Sequence, residues 1–137
     1  MKALSYMEDK IKDLILYRLT KSKEELQVSE ELLSLKHYSQ SINRSYYCIF
    51  HAARAMLAPL QFDSKKHSGI IAYFIKYYVK EELIEKKYSH IISSARQIRI
   101  NSDYDDFYVV TNEQAQKQLA SAIEFYEMAY RYLNSNN

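Results

Sequence analysis

The chain reads as all-α, and three observations carry that reading. One Gly and one Pro in 137 residues, against a usual share of roughly 7% and 5%, leave few turns and favour long helices. Apolar residues recur at helical spacing, with Ile42, Tyr46, Ile49, Ala53, Met56 and Leu60 on one stripe at about 100° per residue. Capping pairs precede such stripes. Ser5 with Glu8, and Thr111 with Gln114, have the three-residue spacing in which two side chains satisfy each other's free backbone N–H groups.

Five helical segments come in order along the chain. The first runs from about Tyr6 to Lys36 behind the Ser5–Glu8 box, with Ile11, Leu14, Ile15, Leu19, Leu26, Leu32 and Leu33 inward. The second begins near Ser39 and ends at Leu57-Ala58-Pro59, because proline drives the residue before it out of the helical region. Residues Gln61 to Lys66 form a loop in which Asp63 or Ser64 supplies the next cap. A third helix, Ser68 to about Val79, carries Ile70, Ile71, Phe74 and Tyr78 inward. A fourth runs from about Glu81 to Asn101 on Ile84, Tyr88, Ile91, Ala95 and Ile98. After the acidic turn Asp103-Tyr104-Asp105-Asp106, the Thr111–Gln114 box opens a last helix to about Leu133, with Leu119, Ile123, Tyr126 and Tyr130 inward. The tail Asn134 to Asn137 is expected to fray. No repeat, linker or low-complexity tract divides residues 1–137, so one domain is expected.

Composition narrows the function. A formal charge of +2 gives no support for non-specific nucleic-acid binding by bulk charge, so only a local patch could bind it. Fourteen Tyr and no Trp suit interfaces and half-wet pockets. A lone Cys48 rules out an internal disulfide and fits a reducing compartment, where a packed small residue is the expected role. The first residues lack an apolar signal-peptide core, and no run of 18 apolar residues exists, so a cytoplasmic chain without a membrane span is expected. No Glu has a His three residues on, and the His are dispersed, so neither a metal nor another cofactor is expected. Gly69 alone makes no phosphate-cradling loop.

Two polar constellations remain. Opposite the stripe of the second helix, Arg44, Tyr47, His51 and Arg54 fall within an arc of about 80°. No Lys or Glu occurs between Lys36 and Lys65, so this is no ordinary solvated face. Arg96, Arg99 and Asp103 repeat the i, i+3, i+7 spacing at the end of the fourth helix, again with no Lys or Glu between Lys87 and Glu113. Arg99 and Asp103 also have the spacing of a simple helical ion pair. If the two sets converge, the guanidiniums could clamp a phosphate and His51 could shuttle a proton.

The run Asn43-Arg44-Ser45-Tyr46-Tyr47-Cys48-Ile49-Phe50-His51-Ala52-Ala53-Arg54-Ala55-Met56-Leu57 resembles the second-helix signature of small HEPN-domain proteins (higher eukaryotes and prokaryotes nucleotide-binding). The resemblance extends upstream to Leu16-Tyr17-Arg18-Leu19 with Lys21, Lys23 and Glu24. Downstream it continues through Lys66-His67-Ser68-Gly69 and Arg99 with Asp103-Tyr104-Asp105-Asp106-Phe107-Tyr108. It implies an all-α up-and-down bundle of four to five helices, commonly a homodimer and often encoded beside a minimal nucleotidyltransferase. Many relatives are ribonucleases acting as toxins or in phage defence, through an Arg-x4-6-His motif late in the penultimate long helix. Here the positions after Arg99 hold Asp103, Tyr104, Asp105 and Asp106, and the motif's histidine is missing. The spacing Arg44-x6-His51 fits the motif formally, but on another helix.

The leading expectation is therefore a dimeric nucleotide- or RNA-binding subunit of a toxin–antitoxin-like or defence module, acting with a minimal nucleotidyltransferase. Arg44, Tyr47, Arg54, Arg96, Asp103 and Tyr104 would bind the ligand. The alternative is a metal-independent endoribonuclease using His51 and Arg99 as catalytic residues. A second alternative is a non-catalytic dimeric scaffold. The dimer is expected to form through helices two and four, with Tyr47, Ala52, Ala55 and Ile100 packed against a twin. Tyr104 or Tyr108 would be a modification site, because some relatives are adenylylated on a Tyr just past the motif.

Overall fold

A computed structural model describes residues 2–135, with side chains from residue 7 onward. It is all-α. The elements are α1 (Lys2–Ser34), α2 (Tyr38–Leu57), a 3-10 turn (Ala58–Leu60), α3 (His67–Phe74) running into a π-helical turn (Ile75–Val79), α4 (Lys87–Tyr104) and α5 (Asn112–Ser135). Helix α2 lies at the centre, packed against α1, α3, α4 and α5. Twelve of its twenty residues are buried, which a helix with one apolar stripe could not show. Its expected stripe is buried from Ile42 to Met56, with Leu60 at the margin.

Small residues make the close approach of α1 and α2 workable. Ser29 Oγ donates to the Ser41 carbonyl (2.8 Å), and Ser41 Oγ returns a bond to the Ser29 carbonyl (2.9 Å). Ser22 Oγ reaches the Cys48 carbonyl at 2.6 Å. Each buried hydroxyl is thus satisfied, as a buried polar group must be. Cys48 packs in the same seam, and burial pushes its thiol up to about 12, which fits the packed role.

Three helical stretches end the same way. Lys36, Gln61 and Glu82 are left-handed, with φ of 64°, 55° and 60°. At each, the following N–H reaches back five residues and the residue's own N–H reaches back three: His37 to Leu32 and Lys36 to Leu33, Phe62 to Leu57 and Gln61 to Ala58, Leu83 to Tyr78 and Glu82 to Val79. This double bond is the Schellman stop, usually built on glycine. With its one Gly elsewhere, the chain makes all three stops from long side chains at a backbone cost of about 1 kcal/mol each.

The stop at Glu82 displaces one helix start from its expected place. The fourth helix starts at Lys87 rather than Glu81, because Glu82 turns the chain first. The third starts at His67, and neither Asp63 nor Ser64 caps it, since Ser64 Oγ accepts from the Lys66 N–H within the loop. Helix α1 runs back through Ser5 to Lys2, so the Ser5–Glu8 box does not open it. The Thr111–Gln114 box forms by half: Thr111 Oγ1 accepts from the Gln114 N–H at 3.1 Å, while the Gln114 side chain goes to Tyr108 instead.

The inner faces also need correction. In α5 the buried residues are Ala115, Gln118, Ala122, Phe125, Met128, Ala129 and Leu133. Leu119, Ile123 and Tyr126 pack at the margin, and Tyr130 is half exposed. The tyrosines drew the expected face one position off, because small alanines fill the tight contact with α2. In α4, Ile92 is fully buried while Ile91 and Ile98 are marginal, and in α1 Leu14 faces outward. Ile70, Ile71, Phe74 and Tyr78 are buried as expected. Asn134 and Ser135 still belong to α5, and the rest of the expected frayed tail lies outside the described residues.

The left-handed stops generate a stability prediction. Lys36 is exposed, so Lys36→Gly should relieve the strain without loss of packing and raise unfolding free energy by about 0.5–1 kcal/mol. Urea unfolding measures it; a lower midpoint would mean that the turn is held by something other than this backbone motif.

Candidate functional site

With α2 enclosed on its other sides, the strip Arg44, Tyr47, His51 and Arg54 is half-buried; Tyr47 meets the start of α3 and the end of α4, while Arg44 reaches Glu25 of α1 and Arg54 reaches Asp63. The α4 contribution arrives through Arg99, whose Nη2 donates to the Tyr47 hydroxyl at 3.4 Å. Its guanidinium also lies over the rings of Tyr46 (5.6 Å) and Tyr47 (5.5 Å). Arg44 sits over the Tyr47 ring as well, at 5.0 Å. Tyr47 is thus the meeting point of both sequence constellations, and cation–π attraction fixes the two guanidiniums there.

The start of α3 adds a residue that the sequence expectation lacks. His67 stacks on Phe50 at 4.1 Å, edge-on to Tyr47 at 5.8 Å, and its Nδ1 lies 2.8 Å from the Tyr46 hydroxyl. Burial pushes that hydroxyl up to about 12, so it keeps its proton, and the imidazole tautomer sets which of the two atoms donates. Burial foremost, then Arg99, Arg96 and Arg54, lower the His67 pKa and favour the neutral imidazole. Gly69 helps set this position: a Cβ there would lie 2.6 Å from Ser64 Oγ, so the preceding loop could not pack against the helix start. The signal available in the sequence was the segment Lys66-His67-Ser68-Gly69, which holds the chain's single glycine.

His51 flanks the same ring, 6.0 Å from Tyr47 and edge-on to Phe50 at 5.9 Å. Burial, then the charges of Arg54, Lys21, Arg44 and His67, depress it to about 4, so it is neutral at pH 7. Arg96, one turn before Arg99, bears electrostatically on Tyr46 and His67. Among the described residues it has no carboxylate partner, unlike the others. Arg44 pairs with Glu25 at 2.7 Å. Arg99 Nε lies 3.0 Å from Asp103 Oδ2, a charge contact whose N–H is not aimed at the oxygen. A shallow cleft lined by Asn43, Arg44, Ser102 and Asp103 continues from this point, and the buried Ser102 hydroxyl has no hydrogen-bond partner.

Not every expected residue joins the group. Arg54 turns away to Asp63 (2.9 Å), which also meets Arg18 (3.4 Å), while Arg18 Nη1 donates to the Arg54 carbonyl at 3.0 Å. Burial works to raise the Asp63 carboxyl, but the Ser64 N–H, Arg54 and Arg18 outweigh it and hold it below its ordinary value. This triad ties α1, α2 and the loop together, and Arg54 reaches the two histidines only through its field. Tyr104 stands 76% exposed at the end of α4. Tyr108 is half-buried, its hydroxyl accepting from Gln114 Nε2 at 2.6 Å. Ala52 and Ala55 are wholly buried inside the chain, so they cannot face a twin as expected.

Among the described residues, no cluster of His, Cys, Asp and Glu could hold a metal ion, and no helix is long and apolar enough to cross a membrane. The fold and the site therefore define an all-α chain with a half-buried basic and aromatic surface built from three helices. The HEPN domain model matches residues 15–132, and the chain belongs to the HEPN family. Two Methanocaldococcus jannaschii proteins named "putative toxin" are similar to it. One is 28% identical over 134 residues, covering 98% of this chain and 91% of the relative. The other is 36% identical over 104 residues, covering 76% of each. A UPF0332 protein of Archaeoglobus fulgidus is 31% identical over 120 residues, covering 87% of this chain and 94% of that protein.

The histidines predict a pH dependence. The folded value of His51, about 4, lies below the ordinary 6.5. Between these values the unfolded chain binds more protons, so stability is complete above about pH 6.5 and falls as pH drops toward 4. His67 acts in the same direction. NMR titration of the imidazoles, with unfolding followed at pH 7 and pH 5, should show both effects; a His51 titrating at or above 6.5 would place it in open solvent instead.

Proposed function

We propose that this protein is a cytoplasmic, homodimeric nucleotide- or RNA-binding subunit of a toxin–antitoxin-like or defence module, acting with a minimal nucleotidyltransferase. The observation that carries the reading is the junction at Tyr47, where Arg44 and Arg99 meet beside two neutral histidines. Guanidiniums held in a fixed fork suit phosphate oxygens. Membership of the HEPN family, and the names of the two archaeal relatives, support the module.

Binding is favoured over cleavage by the residues just past Arg99. Tyr104, Asp105 and Asp106 occupy the positions where the motif would place histidine, and Asp103 just before them neutralises Arg99. A carboxylate is ionised at neutral pH and a tyrosine holds its proton to about pH 10, so neither exchanges one readily there. One observation supports the endoribonuclease alternative: the His51 imidazole is neutral and has no hydrogen-bond partner among the described residues, the state required of a general base. Exposed Tyr104, rather than Tyr108, is the better candidate for modification by the nucleotidyltransferase, because its side chain is free of the fold.

Purified protein should bind short single-stranded RNA, and Arg44→Ala or Arg99→Ala should each weaken binding by roughly tenfold, the loss of one charge-assisted hydrogen bond. Total RNA and transfer RNA should remain intact. Robust cleavage abolished by both His51→Ala and Arg99→Ala would promote the endoribonuclease reading. A particle of about twice 16.3 kDa with neither activity would leave the scaffold. Intact-mass analysis after co-expression with a nucleotidyltransferase encoded beside this chain tests the partner, and Tyr104→Phe should abolish any adduct.

A further inference from the structure

We infer that this surface, on the reading that it binds RNA, grips the sugar–phosphate backbone without stacking a base, and that Arg96 is its leading phosphate contact. Single-strand binders that use base stacking need an aromatic face open to the ligand. Around Tyr47 the rings are spent on one another, and the most open aromatic faces, Tyr104 and Phe107, lie at and beyond the end of α4. Tyr46 is 1% exposed and Phe50 is 6% exposed, with Phe50 already stacked on His67. Tyr47 is half-buried, but its ring meets Tyr46 and His67 edge-on and carries the guanidiniums of Arg44 and Arg99. A base would have to displace a cation to reach it.

The surface does present positive charge, graded by its partners. Arg44 and Arg99 are countered by Glu25 and Asp103, so a phosphate must compete with a carboxylate for each. Arg96 lies one helical turn before Arg99 on α4, hence on the same side, and is half-buried with no carboxylate partner among the described residues; its charge also bears on His67 and Tyr46. The Ser102 hydroxyl, without a hydrogen bond and on a residue lining the adjoining cleft, is a further donor. Unpartnered buried polar atoms are rare, and a ligand oxygen would satisfy them. Such a site distinguishes charge spacing, not base identity.

The test is fluorescence anisotropy with short rU, rA and rC homopolymers and an abasic strand of equal length, across a salt series. All four strands should bind within about threefold of one another, and Arg96→Gln should weaken them by the same factor. The slope of log affinity against log salt should fall by about 0.7 in Arg96→Gln, one single-strand phosphate contact. Arg131→Gln, which removes an exposed α5 charge paired with Glu127, should leave the slope unchanged. A preference of more than about tenfold for one base, or loss of the abasic strand alone, would overturn the inference and leave RNA binding standing; abolition of that preference by His51→Ala would identify His51 as a stacking platform. An Arg96→Gln protein identical to wild type overturns the role of Arg96. If no strand binds at low salt, the RNA-binding reading fails and the inference falls with it.

Discussion

Enclosure of α2 is the constraint on which the other features depend. Four other helices cover it, and the alanines and serines along its flanks allow the backbones to come close. Only one strip is left half-open, and that strip carries Arg44, Tyr47 and His51. Charged and aromatic side chains in that setting must find partners, because an unpaired charge at a low-dielectric surface is costly. Tyr47 supplies partners in both senses, a hydroxyl for Arg99 and a π-face for Arg44 and Arg99 together. The helix that organises the core therefore also organises the polar surface.

The electrostatics of that surface fit the anionic ligand proposed for it. Three arginines and two histidines lie close together, and the histidines remain neutral because burial and the arginines both oppose a further proton. Carboxylates from α1 and α4 hold Arg44 and Arg99 in place before any ligand arrives. Preorganisation of this kind lowers the entropy lost on binding. The triad of Arg18, Arg54 and Asp63 is a separate device, fastening the loop that leads into His67.

Legibility in the sequence tracked the physics of each element. The stripe on α2 was readable because its large apolar residues keep a strict helical period, and the whole helix came out within a residue. The face of α5 was misjudged because Ala115, Ala122 and Ala129 bury little area per residue, so large tyrosines at the margin dominate any pattern. The break at Glu82 carries no glycine or proline signal, since a long side chain occupies the left-handed position. At the site, the two i, i+3, i+7 arginine sets were visible, and Tyr47 joins them. His67 was hidden because it comes from a distant segment, and Arg54 was misplaced because Asp63, invisible as a partner in one dimension, takes its guanidinium.

The central claim is that α2, α3 and α4 form a single anion-binding surface around Tyr47. Amide and side-chain NMR shifts recorded during titration with a short single-stranded RNA test it most directly. The largest changes should cluster on Tyr47, His51, His67, Arg96, Arg99 and Ser102. Changes centred instead on the cleft between the 79–88 segment and α5, lined by Leu83, Ile84, Met128 and Arg131, would contradict it.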